Sequence, residues 1–143
     1  ALDRIVDVFP AERRDQIQIQ LAGALQGVIS QRLVAVEGGG RVAAYEVLMG
    51  TEAVRNLVRE GKSRQMRNII TTSAKDGMQT IEMDLARLVA SGLLSLEAAC
   101  EVSAYPKEIA AHTATVRAQM QAELTAMSGQ AASTNGAPVA VGG

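Results

Sequence analysis

The chain has no tryptophan, one phenylalanine, two tyrosines and one cysteine in 143 residues. So few rings exclude an aromatic core and the stacking platforms on which single-stranded nucleic acid is held. The lone thiol, Cys100, excludes a disulfide within the chain and a cysteine-based zinc site. One unpaired thiol fits a reducing compartment. No apolar run approaches the roughly 20 residues that span a bilayer, and the first residues do not read as a secretory leader. Charge of one sign is lacking as well. Fourteen basic against fifteen acidic residues leave a net charge of −1, so no global field draws in nucleic acid or an anionic membrane.

What is present is Ala, Leu, Gln, Glu, Arg and Met, the composition of a helical chain with one modest core. Residues 2–8 read as a short amphipathic helix stopped by Phe9 and Pro10. A long helix is predicted over residues 12–31, with Ile17, Leu21, Ala24, Leu25, Val28 and Ile29 as its buried stripe. Residues 33–36 and 42–48 are short β-branched runs on either side of Gly38-Gly39-Gly40, which predicts a hairpin. Four short helices follow, over 52–60, 63–72, 78–90 and 95–103. Thr51 and Ser95 are their N-caps, and Gly92 a C-cap. The Ala- and Gln-rich stretch 107–126 reads as a weak, exposed helix, and the small, polar residues after it as a disordered tail.

Most single residues that invite chemistry have a plain structural reading. A phosphate loop needs a lysine and a helix after its glycines, whereas Arg41 and a strand follow here. His112, the only histidine, has no marked nucleophile partner and reads as a surface residue. Cys100 reads as a small hydrophobe. Glu82 and Asp84 lie two apart on a helix, face different ways and read as solvated charges.

The octet AVRNLVRE is different. On a helix, Ala53, Val54, Leu57 and Val58 fall on one face, while Arg55, Asn56, Arg59 and Glu60 fall on the other. Arg55 and Arg59 at i, i+4 cost an isolated helix about 0.2–0.5 kcal/mol, which Glu52 and Glu60 can partly relieve. The pattern alone reads as a solvated face. The functional alternative is a pair of guanidinium forks aimed at carboxylates on another subunit or domain.

LDRIVDVFP, VISQRL, GGGRVAAYEVLMGT, AVRNLVRE and GMQTIEMDL follow one another over residues 2–85. In that order they resemble the C-terminal part of the PilT-type ATPases, which retract type IV pili in twitching motility, within the wider secretion ATPase superfamily. The resemblance covers about residues 2–103, and the octet is its most specific piece. In the family the octet usually has isoleucine at the places of Val54 and Val58, and the four polar positions match. The resemblance implies that the polar residues serve retraction rather than nucleotide binding. The absence of a tetracysteine element before the GR strand resembles the retraction branch.

The same resemblance implies a mainly α chain with a short β-hairpin: the end of a RecA-like α/β core over residues 1–50 and a helical subdomain over 51–105. A weak helix over 106–126 and a tail over 127–143 lie beyond its reach. It implies a cytoplasmic, hexameric parent, peripheral at the inner membrane. That parent would use ATP and Mg²⁺ and push on an inner-membrane platform protein of the pilus. The family's Walker A lysine loop, acidic boxes and histidine box lie upstream of LDRIVDVFP, so this chain alone is expected to hold no cofactor and to be inactive. Without a partner surface for Leu21, Leu25, Val28 and Ile29 it is expected to be marginally stable or self-associating. The absence of an initiator Met before Ala1 reads as a chain cut from a larger protein, or as simple Met removal. A stand-alone helical interaction module is the alternative function. A nucleic-acid binder built on Arg55, Arg59, Lys62, Arg64 and Arg67 is disfavoured by the balanced charge.

Overall fold

The computed structural model describes residues 2–134. Two helices lead: α1 (Leu2–Asp7) and α2 (Ala11–Ala24). Strands β1 (Gly27–Ala35) and β2 (Arg41–Met49) follow. Then come α3 (Glu52–Arg59), a 3₁₀ turn, α4 (Met66–Thr72), a second 3₁₀ turn, α5 (Ile81–Ala90), α6 (Leu96–Glu101) and α7 (Pro106–Thr134). The chain is therefore mainly helical with one antiparallel hairpin, as its composition predicts.

The hairpin is longer than predicted and takes its extra residues from the predicted helix. β1 pairs with β2 from Gly27 opposite Met49 to Ala35 opposite Arg41. Val28 and Ile29 are thus strand residues, and α2 ends at Ala24. The β-branched pair is stiff at χ1 and suits a pleated surface. Leu25, the cap of α2, is already extended at ψ 119°. Gly50 locks the change of direction: its N–H donates to the Gln26 carbonyl at 2.8 Å. Gly38, Gly39 and Gly40 make the turn, all at positive φ near 90°, where a side chain is strained.

Two apolar clusters meet on the hairpin. Val34 and Ala44 join Leu85, Leu88, Val89, Ala99 and Ile109 from α5, α6 and α7. Leu48 joins Ala22 of α2, its cap Leu25, and Val54, Val58, Met66 and Ile70 from α3 and α4. Both clusters unite residues from before and after Gly50.

Later boundaries shift in readable ways. Met78 is not on α5; it is buried in the second cluster, ahead of a bridge between Gln79 and Val47. α5 starts at Ile81, where the Met83 N–H donates to Thr80 Oγ1 at 3.2 Å. α7 runs past Ala126 to Thr134, so the tail predicted to be disordered begins as helix; its remaining residues, 135–143, lie outside those described.

Candidate functional site

The octet forms α3, and its ends are set locally. Thr51 caps it by accepting from the Val54 N–H at 3.4 Å. Gly61 ends it at φ 66°. Val54 and Val58 are fully buried against α2 and β2, and Leu57 is half-buried. Ala53, expected on the docking face, is exposed. It lies at the edge of the apolar arc, where a methyl group does not reach the core.

The two arginines do not stand stacked. Arg55 is half-buried, and its Nε donates to the Gly50 carbonyl at 2.9 Å. Arg59 turns away, donating to Glu52 Oε1 at 2.7 Å and to Asn56 Oδ1. Like charges at i, i+4 are thereby drawn apart, one to a backbone dipole and one to a carboxylate. Glu60 pairs with Lys62 at 2.7 Å rather than with an arginine. The hydrogen bond and then the charge of Lys62 hold the Glu60 carboxyl below its usual range; slight burial opposes them, and Arg59 adds to the pull. The exposed rim of α3 is thus a mixed-charge surface of Glu52, Asn56, Arg59, Glu60 and Lys62.

A second polar constellation went unread in the sequence. Glu82 is only 2 % exposed. Its Oε2 accepts from Arg67 Nη2 at 3.0 Å, and its Oε1 from Ser103 Oγ at 2.7 Å. The same Arg67 nitrogen donates to Glu108 at 2.7 Å, and the guanidinium lies 3.7 Å from the Tyr105 ring centroid. Burial opposes the Arg67 charge, but Glu82 and then Glu108 overcome it and hold the guanidinium above its ordinary range. Asp84, also buried, accepts from the Tyr45 N–H at 2.9 Å and from Arg87 Nε at 2.8 Å. Both carboxylates were expected to be solvated. They are buried because α5 is enclosed on most sides, and each points at its own donor set. They face different ways, as a spacing of two requires.

The remaining candidates lie on three different elements: α7, α6 and the turn between β1 and β2. His112 is half-buried beside Asn68, Thr71 and Thr72 along a groove between α4 and α7. Cys100 packs against the first cluster, with its Sγ 3.8 Å from the Pro106 carbonyl oxygen. The glycine run is a hairpin turn leading into a strand, a geometry that does not fit nucleotide phosphates. Among the described residues no group of three His, Cys, Asp or Glu is placed to hold a metal, and no helix is long and apolar enough to cross a membrane.

No family model matches the chain. Individual proteins do. The type IV pilus retraction ATPase PilT of Pseudomonas aeruginosa is 51% identical over 106 residues, which is 74% of this chain and 31% of that protein. A twitching motility protein of Neisseria gonorrhoeae is 46% identical over 99 residues, covering 68% of this chain and 26% of its own length. Among solved structures, the pilus retraction motor PilT with bound ADP superposes with a TM-score of 0.63 at 45% identity. That match covers 75% of this chain and 29% of the other. The ATPase DotB of Legionella pneumophila shares the fold at a TM-score of 0.54 and 24% identity, over 68% of this chain and 27% of the other. The chain spans between about a quarter and a third of the length of the curated relatives it matches.

Proposed function

We propose that this chain, a PilT-type segment by its sequence and fold, is the force-output portion of a hexameric pilus-retraction ATPase. The observation that carries the reading is the 51% identity to a pilus retraction ATPase over three quarters of the chain. The division of labour follows from what the segment holds. Its glycine turn suits no phosphate, so ATP and Mg²⁺ belong to the remainder of the parent and no step of hydrolysis is assigned to these residues. The segment supplies α3, fixed to the body through Val54 and Val58, with Arg59 and Asn56 facing outward and Arg55 anchored on the Gly50 carbonyl.

On this reading residues 1–50 complete the ATPase core and residues 51–105 form the helical subdomain that carries AVRNLVRE. ATP turnover upstream moves neighbouring subunits, and α3 travels with the subdomain against a neighbour or the inner-membrane platform protein. A planar guanidinium suits that contact because it gives oriented, bidentate bonds to carboxylates. The parent works in the cytoplasm at the inner membrane.

The test is the double variant Arg55→Ala/Arg59→Ala in the full-length parent. Twitching motility is expected to be lost, with ATP turnover kept within about a factor of three, because neither arginine faces a phosphate site in this segment. Loss of turnover in proportion to motility would sink the division of labour. The alternative, an interaction module with no ATPase behind it, would be favoured if a start codon directly preceded the codon for Ala1.

A further inference from the structure

α7 is longer than the body it packs on. Ile109 and Thr113 are buried in its first half, where α5 and α6 cover them. Ile109, Thr113, Val116, Met120, Leu124 and Met127 lie within an arc of about 80° at 100° per residue. One stripe therefore runs from the core out along the free half of the helix. Met120 is 41%, Leu124 60% and Met127 69% exposed. Between Ala114 and Met127 only Arg117 and Glu123 are charged, and they flank the stripe on opposite sides.

We infer that the outer half of α7 is an interface with the α7 of a second copy of this chain. Three features select that occupant. The stripe is a continuation of the seam by which α7 already packs on α5. Thr113 to Leu124 and Val116 to Met127 repeat at eleven residues, the period of helices that wind around one another with a right-handed supercoil. The rim bears one charge of each sign, so a basic or acidic partner gains nothing over a copy of the same helix. A membrane surface is disfavoured, because an interfacial helix needs a basic polar face, and the polar face here is Ala, Gln and Thr with a single arginine. A two-fold pair buries the same patch on both copies. The inference uses no residue of AVRNLVRE and stands or falls apart from the retraction reading.

Cysteine cross-linking of the full chain tests it. In a Cys100→Ser background, Met120→Cys is expected to form a disulfide dimer under mild oxidation. Ala118→Cys, on the far side of the helix, is expected to form no disulfide-linked dimer. By sedimentation, Met120→Glu with Leu124→Glu is expected to weaken association at least about tenfold, with helicity by circular dichroism retained. The interface is overturned if Ala118→Cys cross-links as readily as Met120→Cys. It is also overturned if the chain without these changes stays monomeric at all concentrations. Association that survives the two glutamates but is lost on Leu33→Lys overturns it too, by assigning the contact to the hairpin.

Discussion

Arg67 draws three segments together through its guanidinium, one nitrogen of which reaches both carboxylates. Glu82 comes from α5, Glu108 from α7, and Tyr105 from the connection between α6 and α7. The contacts are not of equal weight. Glu108 and Arg67 keep partial access to water, so their pair is screened. Glu82 does not, and a buried carboxylate stripped of its cation is left to one hydroxyl from Ser103. Arg67→Ala is therefore expected to destabilise the chain by about 3 kcal/mol, read as a lower urea midpoint at unchanged slope. Arg67→Lys is expected to recover only part of that, since an ammonium cannot lie flat on Tyr105 while reaching both carboxylates. Equal midpoints for Arg67→Ala and the parent chain would show that Glu82 is buried at no cost.

At the scale of the element, local chemistry decides most of the outcome. Thr51 and Ser95 cap α3 and α6 as their positions predict, and Gly92 ends α5 at φ 76°. The two-faced character of α3 was legible because Val54 and Val58 repeat at i, i+4 beside four polar residues. Where Arg55 and Arg59 point was not, since the Gly50 carbonyl and Glu52 enter only once the helix is placed. The junction of α2 and β1 was misread for a related reason. Val28 and Ile29 continue the helical stripe of Leu21 and Leu25 in register, so periodicity alone favours helix. Pairing with Val47 and Leu48, some nineteen positions on, overrides it. Gly50 holds that junction. A Cβ there would sit 2.3 Å from the Leu25 carbonyl oxygen and 2.9 Å from that of Gln26, both backbone atoms that cannot swing aside. Gly50→Ala is expected to cost about 2 kcal/mol or more of stability. It should also speed amide exchange at Val28 and Ile29 more than in α7; uniform exchange across the chain would argue against a local wedge.

The molecule as a whole has one closed and one open side to its sheet. β2's outer edge is occupied: Val47 exchanges two backbone hydrogen bonds with Gln79, and Asp84 takes the Tyr45 N–H. Among the described residues no strand covers the outer edge of β1. That edge is nine residues long and carries neither proline nor lysine; its one charged residue, Arg32, is drawn to the Val102 carbonyl. Its solvent face is apolar besides, with Ile29 at 71% and Leu33 at 52% exposed and Tyr45 and Met49 close by across the pair. Of the four residues expected to lack a partner surface, Leu25 is buried within the chain, Leu21 and Val28 are half-buried, and Ile29 is open. Among these four, the open residue is the strand residue Ile29. A free edge joined to an apolar face templates further strands. The isolated chain is accordingly expected to form higher-order species beyond the α7 dimer. Leu33→Lys should suppress these in concentration-dependent light scattering, because a lysine opposes stacking of the face without disturbing the buried Val34 beside it. The Met120→Cys cross-link should persist in that variant, since it draws on a different surface. Scattering unchanged by Leu33→Lys would show that the hairpin, for all its exposure, is not where copies of this chain adhere.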